Sequence, residues 1–382
     1  MAAMPSGPAG LGLVAIADHV VLSWGWPRRL VALASGAVGA LCLAPLNLWP
    51  LMVVPFMAAI WLLDGASAPW RAGQCWRSFA DGWWWGFGYH LAGLWWLGAA
   101  FLVEADKFAW AMPLGVIALP AGLALFTGAA FALARLAWPL GAARIVVFAV
   151  TLAMMEWLRG HVLTGFPWNS FGMALAGNLW LAQTASVIGL YGLALLAALV
   201  FAAPATLATG QDAASRWAAP VMALATLAAM ALFGALRMPQ DASPLVAGVK
   251  LRIMQPNLPQ DAKFRPEAGE AILKSYLALS DRATGPRTLG LQDVTHLVWP
   301  ESAFPFLLGR TPAALAQIEA ALPAGAVLIT GAARAGEALP GEGRPPIYNS
   351  IQVIAKGLGG GYQPIGGILM NDRVLNPIRD GS

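Results

Sequence analysis

The sequence contains few charged residues and almost no cysteine. Charged side chains occupy 11% of the 382 positions, whereas soluble domains carry about 25%. Hydrophobic residues make up 58% and the mean hydropathy is +0.64, which exclude an ordinary soluble domain and indicate an integral membrane protein. No run of lysine or arginine occurs, so a nucleic-acid partner is not expected despite the net charge of +4.

Only two cysteines are present, Cys42 and Cys75, and they suggest neither a disulfide framework nor a metal site. The histidines lack the spacing of metal ligands; they are His19, His90, His161 and His296. We therefore predict no metal and no cofactor.

The composition changes near residue 238, which predicts a helical membrane domain over 1–237 and a second domain over 238–382. A bilayer core of about 30 Å needs about 20 helical residues. Seven apolar runs are predicted to span it: 28–45, 49–64, 82–103, 111–137, 142–158, 178–208 and 215–236. The apolar segment 11–23 contains Asp18 and His19, and we expect it to lie at the membrane interface.

The charges between these runs predict an orientation. The loops on the side of the N-terminus carry seven basic residues, and only Lys107 and Arg159 fall in the opposite loops. The seven are Arg28, Arg29, Arg71, Arg77, Arg135, Arg144 and Arg216. By the positive-inside rule the N-terminus is cytoplasmic, and everything after residue 238 lies outside the cytoplasm.

The second domain alternates between strand and helix patterns. Strands are expected in KLRIMQPN (250–257), THLVWPES (295–302), AVLITGAAR (326–334) and IYNSIQVIAKG (347–357). Helices are expected over 266–283 and 311–322. This alternation predicts an α/β layer structure.

One carboxylate, Glu301, ends the apolar strand Leu297-Val298-Trp299 after Pro300. Active groups in α/β sheets often lie at the carboxyl ends of strands, and the proline ends the ladder there. One interpretation is a general base in a dry pocket. The other is a glutamate that caps a helix or forms an ion pair, and the residues alone leave both open.

Several segments resemble the apolipoprotein N-acyltransferase family of bacterial inner membranes, in family order and over about 90% of the chain. VWPES (298–302) also resembles the glutamate motif of the nitrilase superfamily. The other matching segments are LCLAPLNLWPL (41–51), GWWWGFGYHLAGLWWL (82–97), EWLRGHVLTGFPWNSFG (156–172), LRIMQPN (251–257) and YNSIQVI (348–354).

The resemblance implies a multi-span helical membrane domain that bears a periplasmic, nitrilase-like α-β-β-α sandwich. It implies a Glu-Lys-Cys triad with Glu301 as the base. A thiolate takes an acyl chain from a phospholipid donor, and the amino group of a diacylglyceryl lipoprotein then accepts it. The uncharged segment Phe166, Pro167, Trp168 and Asn169 is predicted to be a periplasmic loop at the headgroup level, near the Glu301 domain and on the substrate path.

The sequence departs from the family at the other two members of the triad. Arg373 stands in the segment NDRVLNP (371–377), the nearest counterpart of the family's lysine motif, and Lys356 is expected to be solvated. The glycines at 359–361 lack the Lys-Ser/Thr of a phosphate loop. No Cys-Tyr-Glu segment follows, so we expect a sandwich incomplete at its C-terminus, from a truncated or frameshifted gene, with low stability and no turnover.

Two other functions remain open at this point. The chain could be a non-enzymatic membrane scaffold or a transporter. A transporter usually has ionisable residues within its spans, and here Asp18 and His90 are the only candidates in the sequence. It could also be a membrane-anchored nitrilase-like amide hydrolase. The segment TGFPWN (164–169) disfavours the hydrolase, which would have no reason to resemble the acyltransferases there.

Overall fold

The computed structural model describes residues 8–209, 212–239, 245–258, 265–285, 288–336, 345–355 and 366–367. The chain forms two compact units, Met1–Ala242 and Ser243–Ser382. Three segments singled out in the sequence lie outside the described residues: Lys356, the glycines at 359–361, and 371–377 with Arg373.

The first unit is helical. Its helices are α1 (Pro8–Leu22), α2 (Gly25–Ala40), α3 (Val53–Gly65), α4 (Arg71–Leu94), α5 (Ala105–Phe108), α6 (Met112–Leu136), α7 (Ala143–Arg159), α8 (Met173–Ala176), α9 (Leu179–Ala182), α10 (Ala185–Ala202), α11 (Thr206–Thr209) and α12 (Ala213–Arg237). Among the described residues, three helical segments are long and apolar enough to cross a membrane: Ala105–Leu136, Ala185–Thr209 and Ala213–Arg237. The other predicted spans contain helices that are shorter or carry more charge.

Two predicted spans differ from the observed helices. Helix α4 begins at Arg71 rather than at 82. Its polar first half can be helical because Asp81, buried within it, forms an ion pair with Arg28 of α2. The span predicted over 178–208 is broken, since Gly189 has a φ of 67° inside α10. Helix α1 packs on α3 and α11, and Ala17 and Val20 are buried there.

Glycines allow α2, α4 and α6 to approach closely. A Cβ atom at Gly36 of α2 would overlap the backbone carbonyl of Trp85 on α4, and one at Gly88 would overlap the carbonyl of Leu33. Gly86 lies in the same way against Thr127 of α6. Small residues let membrane helices pack through their backbones in this manner.

The arginine-rich end of the first unit brings together the starts of α2, α4, α7 and α12 and the ends of α1, α3, α6 and α11. The seven arginines assigned to one side in the sequence lie on these segments. Arg28 donates to carbonyls of Val20 and Leu62, and Arg144 forms a buried ion pair with Asp64 at 3.1 Å. Lys107 and Arg159 lie on other helix ends.

The described residues of the second unit form one mixed sheet and two α-helices. The elements are β1 (Leu251–Ile253), α13 (Gly269–Ser280), β2 (His296–Trp299), α14 (Pro312–Ala321), β3 (Val327–Ala335), β4 (Ile347–Ala355) and β5 (Gly366–Gly367). Strands β1, β2 and β3 are parallel, whereas β4 and β5 pair antiparallel, in the order β1-β2-β3-β4-β5. The predicted alternation of strands and helices is confirmed.

One face of this sheet packs against the helices. Trp299 and Leu328 point into a core with Ile272 and Tyr276 of α13 and Ile318 of α14. The indole nitrogen of Trp299 donates to the hydroxyl of Ser280 at 2.9 Å, which satisfies the buried polar group.

Candidate functional site

Glu301 lies directly after the carboxyl end of β2. Pro300 and the turn at Glu301 and Ser302 carry the chain off the sheet, with Ser302 at a φ of 47°. The amide of Ala303 then donates to the carbonyl of Gly331 on β3, at 3.1 Å. A Cβ atom at Gly331 would lie 2.6 Å from the Cα of Glu301, so only glycine lets β3 pass this close to the turn.

A cleft of about 430 Å³ opens beside this turn. Its lining comes from three neighbouring strands and the turn: Val298, Trp299, Glu301, Ile329, Thr330, Gly331, Asn349, Ser350 and Ile351. The amide nitrogen of Asn349 on β4 donates to the carboxylate of Glu301. This contact orients one oxygen of Glu301 and leaves the carboxylate at the cleft wall, where it can accept a proton.

Among the described residues, the surroundings of Glu301 are not the dry pocket that one of the two interpretations requires. Glu301 is exposed, and so is its hydrogen-bond partner Asn349. The reason is the sheet itself: α13 and α14 cover the face with Leu328, whereas the cleft lies on the face that carries Val298 and Ile329. In the described part of the chain, Glu301 follows a strand and lies in a turn.

A buried ion pair shapes the loop after α7. Arg159 and Glu156 lie 2.8 Å apart, and both side chains are 3% exposed. Glu156 also accepts from the hydroxyl of Ser170 at 2.9 Å and from the amide of Phe171 at 3.2 Å. Burial of a charge is costly unless its hydrogen bonds are satisfied, and these contacts satisfy it.

The same arginine holds the predicted substrate loop. Its Nη1 donates to the carbonyls of Phe166 at 2.7 Å and Trp168 at 2.8 Å. The spacing in EWLRG…TGFPWNS lets Arg159 at the end of α7 hydrogen-bond to the backbone of the loop that follows and hold its conformation. The sequence analysis does not predict this pair; its available signal is two opposite charges three residues apart in an apolar helix.

The four loop residues differ in their surroundings. Trp168 is 49% exposed and stacks on Trp96 with ring centroids 5.3 Å apart, and Phe166 contacts Trp168 at 5.6 Å. Pro167 is exposed. Asn169 is half-buried against Gly93 of α4. Phe166 and Trp168 thus form an aromatic surface with Trp96, whereas Asn169 faces the helices.

The two cysteines belong to the first unit. Cys42 is 1% exposed in the helical core, and Cys75 is half-buried on α4 at the arginine-rich end. Burial of Cys42 closes it to a bulky ester. Neither cysteine lines the cleft of Glu301.

Comparison with known proteins gives consistent matches. The family model "Apolipoprotein N-acyltransferase N-terminal domain" matches residues 35–203. Proteins named apolipoprotein N-acyltransferase from Rhodopseudomonas palustris and Bradyrhizobium diazoefficiens are 52% and 51% identical over 340 residues, which is 89% of this chain and 63% of each relative. A Rhizobium leguminosarum relative of the same name is 43% identical over 350 residues, with 89% and 64% covered. The chain therefore spans a little under two thirds of the length of these relatives.

Proposed function

We propose that the chain is an apolipoprotein N-acyltransferase over the part that it spans, because it is 52% identical to the Rhodopseudomonas palustris protein of that name, and that it serves lipoprotein maturation in the bacterial inner membrane. In this proposal the acyl donor is a membrane phospholipid, and the acceptor is the N-terminal diacylglyceryl-cysteine of a lipoprotein. The observation that carries the proposal is the position of Glu301. It lies in the turn after the carboxyl end of β2 and lines a cleft of the second unit.

Glu301 acts as the general base. Its carboxylate accepts the proton of a thiol, the thiolate attacks the ester carbonyl of the phospholipid, and the ester C–O bond breaks as the thioester C–S bond forms. The lyso-phospholipid leaves with the proton. In the second half, the acceptor amine attacks the thioester, Glu301 removes a proton from nitrogen, and the thiol is regenerated. A base at hydrogen-bond distance is what a thiol nucleophile requires.

Asn349 positions that base. Its amide donates to a carboxylate oxygen of Glu301 and so fixes the orientation of the side chain at the cleft. Neither Cys42 nor Cys75 is the nucleophile, because Cys42 is enclosed in the helical core and Cys75 lies at the arginine-rich end.

The aromatic loop forms part of the substrate path. Trp168, stacked on Trp96 and held by Arg159, offers a rigid apolar surface of the kind that tryptophan supplies at the headgroup level. We propose that Phe166, Pro167, Trp168 and Asn169 lie at the periplasmic surface, on the substrate path. Cross-linking between this loop and Glu301 tests its place on the path: if no linker of about 25 Å, close to the thickness of one bilayer core, joins them, the loop is not on the path.

The orientation follows from the arginine-rich end. With that end in the cytoplasm, the chain is multi-pass and its sheet unit is periplasmic, as a nitrilase-like α-β-β-α sandwich would be in this family. The gathering of seven arginines at one end of the helices supports this, since basic residues are retained on the cytoplasmic side.

Complementation tests the proposal. The 382-residue chain, and the same chain joined to the C-terminal segment of the Rhodopseudomonas palustris relative, are expressed in cells depleted of their own acyltransferase. We expect the joined chain to restore growth. We expect the 382-residue chain not to do so, because its cysteines are unsuited to the reaction. The joined chain with Cys42→Ala and Cys75→Ala should still work; loss of activity in that variant would contradict the proposed mechanism.

A further inference from the structure

A polar cavity lies at the arginine-rich end of the first unit, apart from the features assigned above. It has a volume of about 280 Å³ and is bounded by the α1–α2 connection, the end of α3 and the first half of α4. Its lining is Ser23, Trp24, Gly25, Arg28, Arg29, Gly65, Trp76, Arg77, Ala80 and Asp81. Three arginines against one aspartate leave it with two net positive charges.

Arg28 builds the floor of this cavity and is fully occupied. Its Nε and Nη2 donate to Asp81, and its remaining donors reach the carbonyls of Val20, Ser23 and Leu62. Because all five N–H groups of a guanidinium are then in use, Arg28 has none left for a ligand.

Arg29 and Arg77 are the available cations. Both are exposed. Among the residues that the structure describes, Arg29 lies over the ring face of Trp26, at 4.8 Å, and Arg77 donates through Nη1 to the carbonyl of Ser67; both also interact electrostatically with Asp81. Each guanidinium therefore retains donors in the geometry that suits a phosphate.

An apolar groove adjoins the cavity. It has a volume of about 890 Å³ and shares Ser23, Trp24 and Gly25 with the polar cavity. Ala15, Leu22, Trp26 and Pro27 line it, together with Asp18 and His19. A basic cavity that continues into a mainly apolar groove fits a molecule with a phosphate at one end and a hydrocarbon chain at the other.

Tryptophans rim the two openings. Trp24 is 83% exposed and Trp76 is 69% exposed, values that a soluble surface seldom shows but that suit the level of the headgroups. We propose that this cavity binds the phosphate of an anionic phospholipid between Arg29 and Arg77, with an acyl chain in the adjoining groove along α1. In the orientation proposed above, this lipid belongs to the cytoplasmic leaflet.

This lipid site is distinct from the proposed acyl-donor path, because its lining includes neither Glu301 nor the loop 166–169. Arg28 connects the start of α2 to α4 through Asp81 and to α3 through the carbonyl of Leu62. These hydrogen bonds hold the base of the cavity in place for a bound phosphate. Anionic lipids are attracted to clustered basic residues at a membrane surface, and the net positive charge of the cavity favours them over neutral lipids.

Lipid binding to the full chain tests the proposal. The purified 382-residue protein is titrated in detergent with phosphatidylglycerol, with phosphatidylcholine and with inorganic phosphate, and native mass spectrometry follows each complex. We expect phosphatidylglycerol to bind tightest, with the double variant Arg29→Gln, Arg77→Gln binding it about tenfold more weakly. Arg71→Gln is the matched control, an exposed arginine on α4 outside the cavity, and should change affinity less than twofold.

Two results would overturn the proposal. Equal affinity of the double variant and the wild type for phosphatidylglycerol would remove the site, and inorganic phosphate binding as tightly as the lipid would make it a free-anion site. A photoactivatable phosphatidylglycerol on the unmodified chain gives evidence that does not depend on how the variants fold. Its cross-links should fall on Trp24–Arg29 or Trp76–Asp81; cross-links confined to other segments would also contradict the proposal.

Discussion

Glu301 and its neighbours show how a single residue is positioned by contacts far along the chain. The position after Trp299 and Pro300 could be predicted from the local sequence. Its partner Asn349 could not, because 48 residues separate the two and only the antiparallel pairing of β3 and β4 brings them together. The exposure of Glu301 could not be predicted either, since an apolar strand does not reveal which sheet face the helices cover.

Gly331→Ala should displace Glu301. The added methyl group would lie 2.6 Å from the Cα of Glu301, where backbone rather than a flexible side chain must move. Overpacking of this kind costs about 1–3 kcal/mol. Thermal unfolding of the purified chain should show a lower transition for this variant, whereas Gly309→Ala, with open space around its Cα, should match the wild type. Equal transitions in both variants would refute the close approach.

Arg159→Lys should loosen the aromatic loop. Lysine keeps the charge beside Glu156 but lacks the forked donors that reach Glu156, Phe166 and Trp168 together, so the contacts to the loop carbonyls are lost. Limited proteolysis should then cut between 160 and 170. The control is Lys107→Gln in the exposed pair with Glu104, which has the same 2.8 Å separation and i,i+3 spacing. If the protease cuts the loop equally slowly in both variants, Arg159 does not hold the loop in place.

At the scale of elements, apolar length predicted where helices occur better than where they begin. The spans near α6, α7 and α12 match their helices to within two residues. Helix α4 starts eleven residues earlier than the apolar run because tertiary contacts, above all the Arg28–Asp81 pair, make its polar first half acceptable. Such pairing between distant charges leaves no periodic signal in the sequence.

Gly36→Ala should separate α2 from α4. The new methyl group would overlap the carbonyl of Trp85, a backbone atom that cannot move without shifting the helix. We expect a lower thermal transition in detergent. Gly122→Ala on α6, which has no neighbour within 4 Å, should be neutral or slightly stabilising because alanine is the better helix former. A destabilised Gly122 variant beside an unchanged Gly36 variant would refute the packing.

At the scale of the whole molecule, the charge distribution predicts the membrane orientation. A reporter active only in the periplasm should be inactive when fused at residue 213, near the start of α12, and active at residue 250, after that helix has ended. A reporter active only in the cytoplasm should give the opposite pattern. Periplasmic activity at 213 would invert the orientation and would place the cavity with Arg29 and Arg77 in the outer leaflet.

The role of Glu301 as the base is tested most directly by mass spectrometry of a lipoprotein N-terminus. Cells depleted of their own acyltransferase would carry the chain joined to the C-terminal segment of the Rhodopseudomonas palustris relative, either unchanged or with Glu301→Gln. Glutamine keeps the size of the side chain but cannot take a proton from the thiol. We expect triacylated lipoprotein with Glu301 and only the diacylglyceryl form with the variant, at equal amounts of membrane-inserted protein. Triacylated product from the Glu301→Gln chain would show that another residue is the base.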